Sequence, residues 1–122
     1  MHNIFLYAAR DSQSYRQVEK YLANMSFNGE FIFLPPGSRF SSPSCLHLRS
    51  NDIFILFADN DEDMTELCSL HGEYEEFRII LIVKDESQIQ KNKFNNISPR
   101  FIASLDSNID DVSKYIHSVF KK

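Results

Sequence analysis

Asp59, Asp61 and Asp63 stand at alternate positions beyond an apolar run in the stretch DIFILFADNDEDMTEL, from Asp52 to Leu67. Carboxylates placed there have three chemical uses. They can ligate a hard cation through oxygen, accept a phosphoryl group, or begin a turn and cap a helix. A calcium loop of the EF-hand type would need Gly at its sixth position and Glu at its twelfth. Counted from Asp59, those positions hold Met64 and Leu70, which supply neither the turn nor the bidentate ligand. Asp11 and Lys84 also follow apolar runs closely. If those runs lie side by side, Asp11, Asp59 and Lys84 form a rudimentary cation site; otherwise they are solvated turn residues.

Other chemistry-bearing patterns are sparser. LPPGSRFSS could bring Ser38, Arg39 and Ser41 to a phosphate, although Pro-Pro-Gly also makes an ordinary turn. Cys68 and His71 are three apart, but a zinc site needs two further ligands and no second pair has the spacing. Cys45 and Cys68 form no disulfide framework or CxxC site and read as reduced thiols of a cytoplasmic protein. With 3 glycines in the chain there is neither a GxGxxG nor a Walker A loop. His2, His47, His71 and His117 occupy unrelated positions, and no nucleophile elbow is present. No metal and no cofactor is implied.

Composition narrows the class. The 122 residues fit one domain, 1–122, and Met1 with a clean helical end reads as a stand-alone chain. A hydrophobic content of 43%, with 11 Phe and 5 Tyr, is enough for a core without metal or disulfides. The net charge of −4 and scattered basic residues argue against nucleic acid as a partner. No apolar run approaches the roughly 20 residues of a membrane span, and the N-terminus has no basic signal-peptide region.

The elements that must position these residues are marked by period. Ile4 to Ala8, Phe31 to Leu34, Ile53 to Ala58, Phe77 to Val83 and Phe101 to Leu105 read as strands. Ile53 to Ala58 does not alternate, which indicates burial on both faces, as in a parallel sheet. Tyr15, Val18, Leu22 and Met25 recur at helical spacing behind a Ser14/Gln17 capping box, and Asn28 and Gly29 end that unit. Met64, Leu67, Cys68 and Leu70 suit a helix capped by Asp63, with Gly72 near its end. A helical turn around Cys45 and a helix over Ile89 to Phe94 are weaker. Ser107 and Asp110 start a last helix, on which Ile109, Val112, Ile116, Val119 and Phe120 draw one stripe.

Five β-α repeats predict an α/β fold: a three-layer, doubly wound, five-stranded parallel sheet in the flavodoxin-like order 2-1-3-4-5. In such sheets ligands meet the carboxyl ends of the strands. The candidate crevice residues are therefore Arg10, Asp11, Ser38, Asp59, Glu66 and Lys84.

Over nearly its whole length, the chain resembles the receiver domains of two-component response regulators in element order rather than in motif. The resemblance implies an acidic pair after strand 1, a phosphoacceptor Asp ending strand 3, a Thr or Ser ending strand 4 and a Lys-Pro ending strand 5. Aligning the apolar runs puts Ala8 and Ala9 at the acidic pair and Phe57 at the phosphoacceptor. Val83 falls at the Thr position, with Ser104 and Leu105 at the Lys-Pro. Alanine offers no oxygen to Mg²⁺, phenylalanine accepts no phosphoryl group, valine donates no hydrogen bond, and serine lacks the neutralising charge. The chain also resembles Toll/interleukin receptor domains, whose NAD-cleaving members carry a Glu on the helix after strand 3. DMTELCSL puts Glu66 near that position, without the aromatic residue that precedes it in those domains.

The expectation is a degenerate receiver-like module, non-catalytic, acting in a bacterial signalling setting through a protein partner or self-association. The receiver resemblance places the pairing face on helix 4, strand 5 and helix 5, with Tyr115 and His117 as exposed members. The competing expectation is a small nucleotide-binding or NAD-cleaving domain using the crevice.

Overall fold

A computed structural model describes residues 2–25, 29–34, 53–69, 78–85 and 99–119. Within them lie strands β1 (His2–Ala8), β2 (Gly29–Phe33), β3 (Ile53–Ala58), β4 (Arg78–Val83) and β5 (Phe101–Ser104). Helices α1 (Gln13–Ala23), α2 (Asp61–Ser69) and α3 (Asp110–Val119) accompany them. Every strand pair is parallel, and the sheet order is β2-β1-β3-β4-β5, the doubly wound order expected from the β-α alternation.

Burial follows position in the sheet. β3 is buried along its whole length and β4 from Ile79 onward, because each has a hydrogen-bonded neighbour on both sides and helices cover the faces. β2, at one edge, is only partly buried. On one face Leu6, Ala8, Ile55, Phe57 and Ile82 pack against Val18 and Leu22 of α1 and Val112 and Ile116 of α3. On the other, Phe5, Tyr7, Phe54, Leu56, Leu81 and Val83 pack against Met64 and Leu67 of α2. Successive side chains of a strand point to opposite faces, so one continuous apolar run fills two cores.

Some boundaries differ from the sequence reading. β1 starts at His2 and β2 at Gly29, so that Gly29 opens a strand rather than ending a unit. β2 ends at Phe33 and β5 at Ser104, although the amides of Leu34 and Leu105 still donate to Leu6 O and Val83 O at 3.0 and 2.8 Å. The cap of α1 is Ser12, whose hydroxyl accepts from the Tyr15 amide at 3.0 Å. Ser14 is instead buried in the first turn, on the face that carries Val18 and Leu22 toward the sheet. α3 begins at Asp110 after a series of turns over 105–109, and Asn108 rather than Ser107 organises that turn. The Cys45 turn, the helix at Ile89 to Phe94, Ser38, Phe77, Leu70 and Phe120 lie outside the described residues.

Leu56 on β3 has no exposed surface and belongs to the α2-side core. Leu56→Ala removes buried methyl groups from a site closed on all sides, so it costs about 2–5 kcal/mol in urea denaturation. Glu30→Ala, at an exposed position of edge strand β2, shifts stability by less than about 0.5 kcal/mol. A Leu56→Ala cost as small as that of Glu30→Ala contradicts the two-sided burial of β3.

Candidate functional site

The carboxyl ends of β1, β3, β4 and β5 form one mouth because the strands run the same way in matched register. Ala8 pairs with Phe57, Phe57 with Ile82 and Ile82 with Ala103. One step further on, Ala58 pairs with Val83 and Val83 with Ser104. The receiver-aligned positions Ala8, Phe57, Val83 and Ser104 therefore occupy two adjacent rows. All four have no exposed surface, and Ala9 is 5% exposed. Phe57 and Ala8 belong to the core under α1 and α3, and Val83 to the core under α2. These last rows of the sheet are part of the packing.

Ser104 is polar but committed. Its backbone amide donates to Asn108 Oδ1 at 2.8 Å, and its hydroxyl donates to the same oxygen at 3.3 Å. That pair ties the end of β5 to the turn leading into α3.

Beyond the apolar rows lies a cluster of charge. The peptide leaves β3 at Asp59, and α2 begins two residues later. Asn60 caps α2, its Oδ1 accepting from the Asp63 amide at 2.9 Å. Asp63 Oδ2 reaches back and accepts from the Asp59 amide at 3.1 Å. The exchange is a variant of the capping box, shifted by one residue at its return arm. Asp63 is thus the third residue of the helix rather than its cap, and that position turns its carboxylate inward, where it is 2% exposed.

Arg10, in the loop after β1, bridges this start of α2. Its Nε is 3.6 Å from Asp63 Oδ1, and its Nη1 donates to Glu62 Oε2 at 3.2 Å. Lys84, just past β4, places Nζ 3.8 Å from Asp59 Oδ1. Asp59 Oδ1 and Asp63 Oδ1 are both buried and accept no hydrogen bond from the described residues. Burial therefore outweighs the favourable contacts at Asp63 and lifts its carboxyl above the ordinary value of 3.8; the Asp59 amide and Arg10 pull the other way, and the carboxylates of Asp59 and Glu66 add to the rise.

Of the crevice candidates, the structure draws Arg10, Asp59 and Lys84 into one network, with Glu66 close enough to raise the phenol of buried Tyr7 after burial itself. Asp11 is elsewhere engaged: Arg16 donates to both its oxygens, at 3.2 and 2.9 Å, which holds the Asp11 carboxyl below its ordinary value. Asp11 and Arg16 line an open depression with Ser12 and Gln13 at the start of α1. Among the described residues no group of three or more His, Cys, Asp and Glu side chains is placed to hold a metal ion, and no helix is long and apolar enough to cross a membrane. The central role of Asp63 and the parts played by Asn60, Glu62 and Asn108 are additions to the sequence reading. The N-x-x-D spacing of Asn60 and Asp63 is the signal that marks them.

No protein-family model matches the chain, and no curated protein matches it. Solved structures do share the fold. A pilus assembly-related protein from Burkholderia pseudomallei superposes with a TM-score of 0.57 at 9% identity, over 98% of this chain and 89% of that one. The Mn²⁺-bound form of response regulator Rcp1 gives a TM-score of 0.54 at 11% identity, over 95% of this chain and 90% of the other. At such identities the likeness is one of fold, and the fold is receiver-like.

The burial of Asp63 gives stability a pH dependence of definite sign. Its folded pKa lies above 3.8, so between the two values the native chain binds more protons than the unfolded chain and stability falls as pH rises. The denaturation midpoint of the wild type relative to Asp63→Asn therefore increases as pH is lowered from about 7 toward the unfolded value. A relative midpoint that falls on acidification contradicts a desolvated Asp63.

Proposed function

We propose that the chain is a receiver-like regulatory module that has lost phosphotransfer and works through its surface, binding a partner protein or a second copy of itself. The observation that carries this reading is the chemistry of the two rows at the mouth. The side chains of Phe57 and Val83 are buried hydrocarbon, that of Ala8 is a methyl group, and Ser104 is taken up by Asn108. Exposing Phe57 would cost about 1.5–3 kcal/mol of transfer free energy, so this row is held closed by the core itself. Asp59, the acid next beyond β3, is directed to Lys84, and its amide is bound by Asp63.

The receiver resemblance points to the strand 5 and last-helix side as the working face. Phe101 of β5 and Tyr115 of α3 stack there with ring centroids 5.0 Å apart. Tyr115 is half-buried against the core margin, where the sequence reading left it off the core stripe; the stack with Phe101 draws it in. His117 is exposed, with Nδ1 3.4 Å from the Ser113 hydroxyl. A half-exposed aromatic pair of this kind suits protein contact, where rigid rings add area at low entropic cost.

Incubation with acetyl phosphate and Mg²⁺, followed by intact mass and light scattering, tests the proposal. The expected result is no phosphoryl adduct and no change in oligomeric state. An adduct on the wild type that is absent from Asp59→Asn overturns it. A scattering mass that rises with concentration identifies the partner as a second copy, and a strict monomer leaves a different protein in that place.

A further inference from the structure

We propose that Asp63 is a proton-operated latch: its buried carboxylate holds Arg10 of the β1–α1 loop onto the first turn of α2, and protonation releases Arg10 and makes the mouth more positive. The inference is independent of the proposed function. It rests on the arrangement of groups around one buried side chain.

Asp63 joins two separate parts of the chain through its two oxygens. Oδ2 accepts from the Asp59 amide at 3.1 Å, which fixes the exit of β3. Oδ1 accepts no hydrogen bond from the described residues and faces Arg10, whose Nε is 3.6 Å away. The charged groups around Asp63 are Arg10 from the loop after β1, Asp59 from the end of β3, and Glu62 and Glu66 from α2 itself. Lys84, beyond β4, enters through Asp59. A proton entering from solvent settles on Oδ1, because Oδ2 is already engaged by the amide. The neutral acid then presents an O–H where Arg10 had met an anion, and two donors face each other. Arg10 keeps its bond to Glu62, but that carboxylate is 79% exposed and such a pair contributes little. Arg10, already 48% exposed, swings outward, and the mouth gains one unit of positive charge.

Desolvation raises the Asp63 carboxyl above the ordinary aspartate value of 3.8, so the latch opens under milder acid than an exposed aspartate would need. An anion meeting the mouth would bind more strongly below that point than above it.

NMR titration from about pH 7 to about pH 2.5 tests the latch through the Asp63 carboxyl carbon, the Asp59 amide and the Arg10 Nε–H. The three signals should move with one midpoint above 3.8, and the Arg10 response should vanish in Asp63→Asn. Arg10→Gln, at a partly exposed site the fold can spare, should raise the Asp63 midpoint further, because the cation that favours the ionised form is gone. An Asp63 midpoint at or below 3.8, an Arg10 signal that stays fixed while Asp63 titrates, or a midpoint unchanged by Arg10→Gln overturns the proposal.

Discussion

The structure depends on the burial of β3 on all sides. Ile53 to Ala58 have hydrogen-bonded neighbours on both edges and packed helices on both faces, and none of them retains exposed surface. Such a strand tolerates no unpaired polar group along its length. Whatever polar chemistry the chain carries near it must gather where the strand ends. The apolar filling of the last rows, with Phe57 under α1 and α3 and Ala58 under α2, continues that constraint to the mouth.

The polarity displaced from the strand reappears within a few residues. Asn60 and Asp63 start α2 by exchanging hydrogen bonds with the backbone around them. Negative side chains in a first helical turn are favoured by the helix dipole, and α2 carries Asp61, Glu62 and Asp63 there. Burying Asp63 has a desolvation cost that the Asp59 amide and Arg10 offset in part. The resulting network spans the ends of β1, β3 and β4, so the same residues that start a helix also pin the loops of the mouth. A partner binding at the β5–α3 side would act on a scaffold whose mouth is held by its own charges.

Much of the fold was legible in the sequence. Unbroken apolar runs identified β3 and β4, and the stripe of Val112 and Ile116 identified α3. The β-α alternation left few topologies to choose from. Strand ends were less legible, because among the described residues β2 and β5 pair with only one neighbour, and their sequences carry a weaker pattern. Helix starts were misplaced where several capping residues crowd together. Ser12 and Ser14 are both good caps by type, and only the direction of the helix face decides that Ser14 is buried. The candidate site was half legible. Position after a strand groups Arg10, Asp59 and Lys84, which the structure links by ion pairs through Asp63 and Asp59, whereas Asp11 pairs with Arg16 of the helix that follows it. The importance of Asp63 depends on which of three alternating acids turns inward, and that follows from α2 beginning at Asp61 rather than after Asp63.

The most direct measurement is of amide chemical shifts while Mg²⁺ and beryllofluoride, a mimic of a bound phosphoryl group, are added together. With Phe57 and Val83 buried in the last rows of the sheet and Asp59 facing Lys84, the amides of Asp59, Asn60 and Lys84 should show no saturable movement. A saturable shift at these amides that disappears in Asp59→Asn would mean that the mouth still accepts a phosphoryl group, and would contradict the account.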